Sequence, residues 1–210
     1  MVTPKKFIKD IQSYLDQNEI DINTLTSENI DYGNNEKILW GNDIFDFYFG
    51  ATRGCFIPAY EPSFVMKFDF NDLTEAYCAI ETENYIKAVE AGLGKCFAKL
   101  IPFDKISNTL LYKSEYVDGR CRGSFREVTA DQIENINSIT SKHDAPVLPT
   151  SWTMNFIDYY GVSTFEKFLD FIVKNNINDL HDTNIGYKNG RPIVFDYAGY
   201  LEYSDSDCNF

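Results

Sequence analysis

The chain of 210 residues has few positive charges, few histidines and no long apolar run. It carries 19 Lys and Arg against 32 Asp and Glu, which gives a formal net charge of −13. Because Lys and Arg supply the affinity for phosphate backbones and for anionic lipids, this charge argues against binding to nucleic acid or to a membrane surface. Two histidines are too few for a histidine-based metal site, and no run approaches the ~20 apolar residues of a membrane helix.

The five cysteines are an odd number and include no Cys-x-x-Cys pair. This pattern predicts reduced thiols in a cytoplasmic protein rather than a disulfide framework or a zinc site. The N-terminus lacks the apolar core of a signal peptide. Apolar residues make up 44% and charged residues 24%, which is typical of a folded domain and not of a disordered chain. We therefore expect a soluble, acidic, cytoplasmic protein.

The first part of the chain, residues 1–36, is predicted to be an accessory helix followed by a linker. Thr3 is a suitable N-cap and Pro4 a suitable first helical residue. Apolar residues then recur with helical spacing, which predicts an amphipathic helix over 4–16. Residues 17–36 are polar and contain a turn signal.

Residues 37–117 are predicted to form a small, mostly antiparallel sheet with one inserted helix. Short runs of aromatic and β-branched residues alternate there with turns that contain glycine or proline. One of these turns carries Gly50 and Gly54. The inserted helix is predicted over about 72–91, where one apolar stripe includes Val89 and Gly92 ends the pattern.

Residues 118–199 are predicted to be mainly helical, with a hairpin near their end. Thr129 and Ser163 are each followed three residues later by Gln or Glu, so each predicts a capping box at the start of a helix. A loop is predicted at 143–151, and an acidic tail, residues 200–210, closes the chain.

A lysine and a glutamate interrupt apolar patterns in the first half of the chain. Lys67 follows Phe-Val-Met in a strand that is apolar enough to be buried on both faces. Glu81 lies on the apolar stripe of the inserted helix. An unpaired buried charge is costly, so we expect the two side chains to neutralise each other. The pair is either part of a functional site or a purely structural ion pair.

Three oxygen-bearing side chains stand out in the second half of the chain. Asp179 and Asn184 lie five residues apart in a polar loop, and Asp196 directly follows an apolar strand. Two carboxylates and an amide oxygen from neighbouring elements suit Mg²⁺ and substrate phosphates. The alternative is that these residues only cap and turn the chain.

Taken in order, these features resemble the protein-kinase-like superfamily. They comprise a glycine-bearing hairpin, a strand lysine, a helix glutamate, an Asp-Leu-x-x-x-x-Asn-like loop and an aspartate after a strand. The chain is most similar in kind to small bacterial and phage-type kinase-like proteins and to aminoglycoside or choline kinases, which share the Asp-Leu-His opening at Asp179. The resemblance spans 37–199. It implies an α+β, two-lobed fold with a small antiparallel N-lobe, 37–117, and a reduced, mainly helical C-lobe, 118–199.

The resemblance also implies ATP and Mg²⁺ as cofactors and a role for each polar residue. Lys67 resembles the lysine that holds the α- and β-phosphates, and Glu81 resembles its helix partner. Asp179 resembles the catalytic base. Asn184 and Asp196 resemble the magnesium ligands.

Two further segments resemble the nucleotide-binding parts of the family. Gly50 and Gly54 flank a short turn, in which Arg53 is either a phosphate contact or a solvated side chain. Glu115 and Val117 lie in a segment that resembles the hinge, whose backbone hydrogen-bonds adenine.

The chain also departs from the family pattern. Ile177 replaces the usual histidine two residues before the base, and the motif that starts at Asp196 has one extra residue before its glycine. Few residues follow Asp196, so the part of the family that binds a peptide substrate is expected to be reduced. The sequence therefore favours a phosphotransferase that acts on an unidentified hydroxyl. The alternative is an inactive kinase-like protein that binds or inhibits a host or partner protein, for instance through its acidic surface.

Overall fold

The computed structural model describes residues 3–26, 30, 42–60, 62–70, 76–120 and 127–199. Within these residues the protein is α+β, with five α-helices and two antiparallel sheets, as predicted. The predicted strand formers at 37–41 and the acidic tail at 200–210 lie outside the described residues.

The chain divides into two compact units. The first comprises Met1–Ile86 and Ala98–Val117, and the second comprises Lys87–Phe97 and Asp118–Phe210. The chain therefore passes from one unit to the other three times, the last time after Val117.

The first unit contains a five-stranded antiparallel sheet with the strand order β1-β2-β3-β5-β4. Its strands are β1 (Phe45–Phe49), β2 (Arg53–Pro58), β3 (Phe64–Asp69), β4 (Leu100–Ile106) and β5 (Thr109–Glu115). Consecutive strands along the chain pair as hairpins, except where α2 (Tyr77–Glu90) is inserted between β3 and β4. The predicted antiparallel sheet with one inserted helix is confirmed.

One face of this sheet is almost entirely aromatic and aliphatic. Phe56 lies opposite Phe47 on β1 and Met66 on β3, and all three side chains are buried. Helix α1 (Pro4–Gln17) belongs to the same core, with Phe7 packed edge-to-face on Phe64. The N-cap predicted for this helix is present, because the hydroxyl of Thr3 accepts the N–H of Lys6 at 3.3 Å. The N-terminal helix therefore forms part of the core of the first unit.

The other face of the sheet is polar. Alternate residues of a strand point to opposite faces, and the register places Cys55, Lys67 and Tyr112 side by side across β2, β3 and β5. Arg53 and Asp69 form the next pair along β2 and β3 on this face. Lys67 and Arg53 are nevertheless buried. The sheet thus separates an apolar core from a buried set of charged groups.

Helix α2 supplies a partner for the polar face. The helix begins at Tyr77, and the earlier start predicted from the sequence falls partly on residues 71–75, outside the described part. Its buried residues include Glu81, whereas Val89 is 52% exposed, so the prediction that Val89 lies on the buried stripe is wrong. Gly92 lies two residues after Glu90, adopts a positive φ of 73° and terminates the helix, as predicted.

The second unit packs three helices with a three-stranded antiparallel sheet of order β6-β7-β8. Its elements are α3 (Ala130–Lys142), α4 (Thr150–Tyr160), α5 (Val162–Lys174), β6 (Asp118–Arg120), β7 (Ile185–Lys188) and β8 (Arg191–Val194). The core is again aromatic: Phe156 packs on Trp152, Phe165 and Phe168, all of them fully buried. The predicted C-terminal hairpin is confirmed as β7 and β8.

Two predictions in the second unit are wrong. The predicted loop at 143–151 ends at Pro149, because α4 starts at Thr150 without any side-chain cap that could have signalled it. The capping box predicted at Ser163 does not form. Gly161, with a φ of 85°, ends α4 and directly precedes α5, so Ser163 already lies inside the helix. The box at Thr129 is confirmed, with both reciprocal hydrogen bonds present.

Within the described ranges, none of the helices is both long enough and apolar enough to cross a membrane.

Candidate functional site

In the first unit, the lysine and glutamate singled out by the sequence meet. The Nζ atom of Lys67 lies 3.1 Å from Oε1 and 3.4 Å from Oε2 of Glu81. The Glu81 side chain is fully buried, and that of Lys67 is 9% exposed. The predicted ion pair is confirmed. Binding of a nucleotide phosphate by Lys67 remains a prediction.

Arg53 also contacts Glu81, and the sequence did not lead us to predict this contact. Its Nη1 atom forms an ion pair with Oε2 of Glu81 and donates to the hydroxyl oxygen of Tyr112 at 3.2 Å. The Arg53 side chain is only 8% exposed, so the alternative of a solvated arginine is wrong. The sequence signal for this contact is the two-residue period of β2. It puts Arg53 on the same face as Cys55, and Cys55 lies opposite Lys67 on β3.

Asp69 is another charged residue on this face, and it lies opposite Arg53 in the pairing of β2 with β3. Its two carboxylate oxygens accept the backbone N–H of Cys78 at 2.9 and 3.1 Å. This N–H belongs to the first turn of α2, where amides have no partner within the helix. Burial raises the pKa of Asp69, while the hydrogen bonds from Cys78 and the nearby Arg53 guanidinium oppose that rise. Two acids and two bases therefore lie near one another, with Glu81, Arg53 and Lys67 buried and Asp69 half-buried.

Two of the three described cysteines, Cys78 and Cys96, are buried. Cys55, Cys78 and Cys96 are all free thiols. Burial raises the pKa of Cys78 far above its usual range, and it raises that of Cys96 to about 12. Because the thiolate is the reactive form, these two buried thiols are expected to be inert.

The two glycines of the predicted phosphate-binding turn differ in their surroundings. Gly50 begins the turn between β1 and β2 and donates its N–H to the carbonyl of Arg53 at 3.0 Å. Gly54 lies on the apolar face, where a Cβ atom would collide with the ring of Phe68. Packing therefore explains why Gly54 is a glycine, and nucleotide binding by this turn stays a prediction.

The predicted hinge lies at the end of β5. The N–H of Glu115 donates to the carbonyl of Lys99 at 2.8 Å, and its carboxylate accepts the N–H of Lys99 at 3.2 Å. Val117 is half-buried and is the last residue of the first unit. These contacts give Glu115 a local role in pairing β5 with the segment that leads into β4.

In the second unit, the side chain of Asn184 contacts Asp179, and the backbone of Asn184 contacts that of Asp196. The Nδ2 atom of Asn184 donates to the carbonyl of Asp179 at 2.7 Å and to its Oδ2 at 3.1 Å. The carbonyl of Asn184 accepts the N–H groups of Phe195 and Asp196 at 3.0 and 3.3 Å. The loop and the end of β8 are thus joined through Asn184. The amide nitrogen of Asn184 faces Asp179, so its oxygen is the atom left to meet a cation.

His181 orients the other oxygen of Asp179. Its Nδ1 accepts the N–H of Thr183 at 3.3 Å. The Nε2 atom lies 3.2 Å from Oδ1 of Asp179. The carboxylate of Asp179 is therefore held from both sides, by His181 and by Asn184, while 41% of its side chain stays exposed.

No group of three or more His, Cys, Asp or Glu side chains in the described part of the chain is arranged to hold a metal ion. Mg²⁺ is commonly bound through one or two carboxylates together with substrate phosphates. Magnesium binding by Asn184 and Asp196 remains a prediction.

A separate cavity of about 480 Å³ lies between α4 and the β7–β8 hairpin. Asn155 and Tyr187 line it and are joined by a hydrogen bond of 2.7 Å. None of the residues predicted for nucleotide or metal binding lines this cavity.

Comparisons of the chain with protein-family profiles, with curated protein sequences and with solved structures find no match. The functional inference therefore depends on the residues of the two clusters and on their geometry.

Proposed function

We propose that this protein is an ATP- and Mg²⁺-dependent phosphotransferase of the protein-kinase-like type, which moves the γ-phosphoryl group to a hydroxyl acceptor. The observation that carries the proposal is the buried ion pair between Lys67 on β3 and Glu81 on α2. A buried ion pair contributes little to stability compared with apolar residues of similar volume, because both charges lose their hydration. Its presence on an otherwise well-packed sheet therefore favours a functional role.

Lys67 is suited to a phosphate because its charge lies in a nearly dry environment. Electrostatic attraction is stronger there than in water, and no solvent has to be rearranged when the anion arrives. In the proposal, Glu81 orients the ammonium group of Lys67. In the proposal, Lys67 binds the α- and β-phosphates, and the backbone of Glu115 to Val117 binds adenine.

The second unit supplies the groups that act on the γ-phosphate. In the proposal, Asp179 orients the acceptor hydroxyl, and its carboxylate is already held by His181 and Asn184. Asn184 and Asp196 hold the Mg²⁺ that neutralises the charge developing on the transferred group.

Binding of Mg-ATP, followed by titration calorimetry, tests the first half of the proposal. We expect the wild-type chain to bind and Lys67→Met to lose about tenfold or more in affinity, because the phosphates lose their principal cation. Lys113→Met is the matched control, since Lys113 neighbours Tyr112 on β5 and contacts the ring of Phe64 on the apolar side of the sheet. Equal losses in the two variants would contradict the assignment of Lys67.

Transfer of label from γ-labelled ATP, to water or to the chain itself, tests the second half. We expect Asp179→Ala to abolish transfer while it keeps Mg-ATP binding. The control Asp182→Ala lies in the same loop, 63% exposed, and should remain active. Binding without any transfer in the wild-type chain would instead identify an inactive kinase-like protein, and absence of binding would refute the nucleotide site altogether.

A further inference from the structure

Helix α2 contacts strand β3 through polar groups at two places in the first unit. The ammonium group of Lys67 donates to Glu81 at 3.1 Å. Nearer the start of the helix, the N–H of Cys78 donates to both carboxylate oxygens of Asp69, at 2.9 and 3.1 Å. Lys67 and Asp69 lie two residues apart on β3, so both side chains point to the polar face of the sheet. One strand therefore supplies both contacts.

The spacing of these two contacts lets them act together on the helix. Residues 67 and 69 are about 7 Å apart along an extended strand, and residues 78 and 81 are about 4.5 Å apart along a helix axis. One contact alone permits a helix to slide or turn about it, whereas a second contact with the same strand restricts both movements. Apolar contacts, such as those of the buried Ala88, have no preferred direction. The hydrogen bonds of Asp69 therefore help to determine whether Glu81 faces Lys67.

The place of Asp69 in the sequence distinguishes it from the caps of the other helices. Thr3 and Thr129 directly precede α1 and α3, and each accepts an N–H of the helix that follows it. Asp69 instead lies nine positions before Cys78, within β3. A carboxylate near a helix start also interacts favourably with the helix dipole. Because it comes from the strand and not from the residue before the helix, this carboxylate attaches α2 to the strand that carries Lys67.

We propose that Asp69 is a positioning residue, which holds α2 on β3 so that Glu81 stays paired with Lys67 while Lys67 binds the nucleotide phosphates. The inference rests on the proposed function and adds to it a residue on which the orientation of the lysine depends. The ion pair stays in place throughout, and Asp69 contacts neither the nucleotide nor Mg²⁺. Asp69 acts on nucleotide binding only through the start of α2.

The test is the affinity for Mg-ATP, measured by titration calorimetry in variants of Asp69. We expect Asp69→Ala to weaken binding by about fivefold, because α2 loses one of its two polar contacts with β3. Asp69→Asn keeps an oxygen that accepts the N–H of Cys78, so its affinity should stay close to that of the wild type. The matched control is Asp21→Ala, which removes the acceptor of the Asn23 N–H in the same unit and should leave the affinity unchanged.

A double variant separates positioning from ordinary stabilisation. If Asp69 acts through Lys67, adding Asp69→Ala to Lys67→Met should lower the affinity no further, while Asp69→Ala should still lower the unfolding midpoint. An equal further loss of affinity would overturn the inference, since Asp69 would then act independently of Lys67. A lower unfolding midpoint of Asp69→Ala without any loss of affinity would also overturn it, because that is the result of a purely structural contact.

Asp69→Asn keeps the inference falsifiable if Asp69→Ala folds poorly. A loss of affinity in Asp69→Asn would mean that the charge of Asp69 matters and not its hydrogen bonds to α2, which would overturn the inference.

A second readout needs no nucleotide. The acylation rate of the Lys67 amine, measured by mass spectrometry, should rise in Asp69→Ala, because Glu81 holds the ammonium group less firmly, and should stay unchanged in Asp69→Asn. Equal rates in Asp69→Ala and the wild type would overturn the inference even if the wild type binds Mg-ATP. Absence of Mg-ATP binding to the wild type would instead overturn the proposed function and, with it, the role of Asp69 in nucleotide binding.

Discussion

The charged cluster of the first unit and that of the second unit are built in opposite ways. Glu81 is fully buried between two nearly buried cations. The side chains of Asp179 and His181 are 41% and 52% exposed, and their contacts come from the same short loop. Buried charges are tolerated only when they are paired, whereas exposed charges are stabilised by water. Substitutions in the first cluster should therefore disturb folding strongly, and those in the second should disturb folding only weakly.

The largest expected effect is that of Glu81→Ala, which leaves Arg53 and Lys67 without the carboxylate they share. We expect the free energy of unfolding to fall by about 3–5 kcal/mol, as for other broken buried ion pairs. Urea unfolding measures the change. The control Glu90→Ala removes an exposed glutamate from the same helix and should shift the free energy by no more than about 0.5 kcal/mol. Similar values for the two variants would show that the first cluster is not a buried site.

Gly54→Ala tests the apolar face that lies behind the first cluster. The added methyl group collides with the ring of Phe68, and such overpacking typically costs about 1–3 kcal/mol. The control is Gly50→Ala in the same turn, where the added methyl group meets no atom within 4 Å. Thermal unfolding of both variants measures the difference. If Gly50→Ala were the more destabilising, the packing explanation of Gly54 would be wrong.

Thr129→Ala tests how the second unit is stabilised at its helix ends. Losing the capping box of α3 should cost about 1 kcal/mol. Ser163→Ala is the matched comparison, because the sequence predicts the same motif there and the structure has none. Urea unfolding should show a loss for Thr129→Ala alone. Equal losses would indicate that Ser163 does cap α5.

Asp179→Ala should destabilise the protein by less than about 1 kcal/mol, because the carboxylate is partly solvated. The loss of phosphoryl transfer expected for this variant would then be separate from folding. A much larger loss of stability would mean that the loop cluster is structural.

The smallest expected effect is a change in pH dependence. Burial raises the pKa of Asp69 above its usual value of 3.8, so the folded chain binds this proton more tightly than the unfolded chain. The stability that Asp69 contributes is therefore lost as the pH rises from 3.8 through the raised pKa. Asp69→Asn removes this loss and keeps an acceptor for Cys78. Between about pH 4 and 7, the free energy of unfolding of Asp69→Asn, measured with urea, should rise relative to that of the wild type as the pH rises. A relative fall would contradict the raised pKa of Asp69.

Much of the fold was predictable because its signals are local. The N-cap at Thr3, the capping box at Thr129 and the final hairpin all depend on residues within a few positions of each other. Helix α4 was missed for the same reason, since Pro149 at its start provides no side-chain cap. Ser163 has the sequence pattern of a capping box. The helix already begins at Val162, directly after Gly161 with its positive φ, so Ser163 lies inside it.

The candidate site likewise has one part that local sequence patterns predict and one part that they do not. A lysine in an apolar strand requires a buried acid whatever the fold, and the helical stripe identified Glu81 as that acid. Only the tertiary structure decided that Arg53 shares Glu81 and that Gly54 packs against Phe68. Arg53 is 28 positions from Glu81 and 59 from Tyr112 along the chain. Strand register places Arg53 and Tyr112 on one face of the sheet, and helix α2 brings Glu81 to that face. Periodicity shows which residues are buried, whereas the partners of a buried charge depend on pairing between distant strands, which no local spacing encodes.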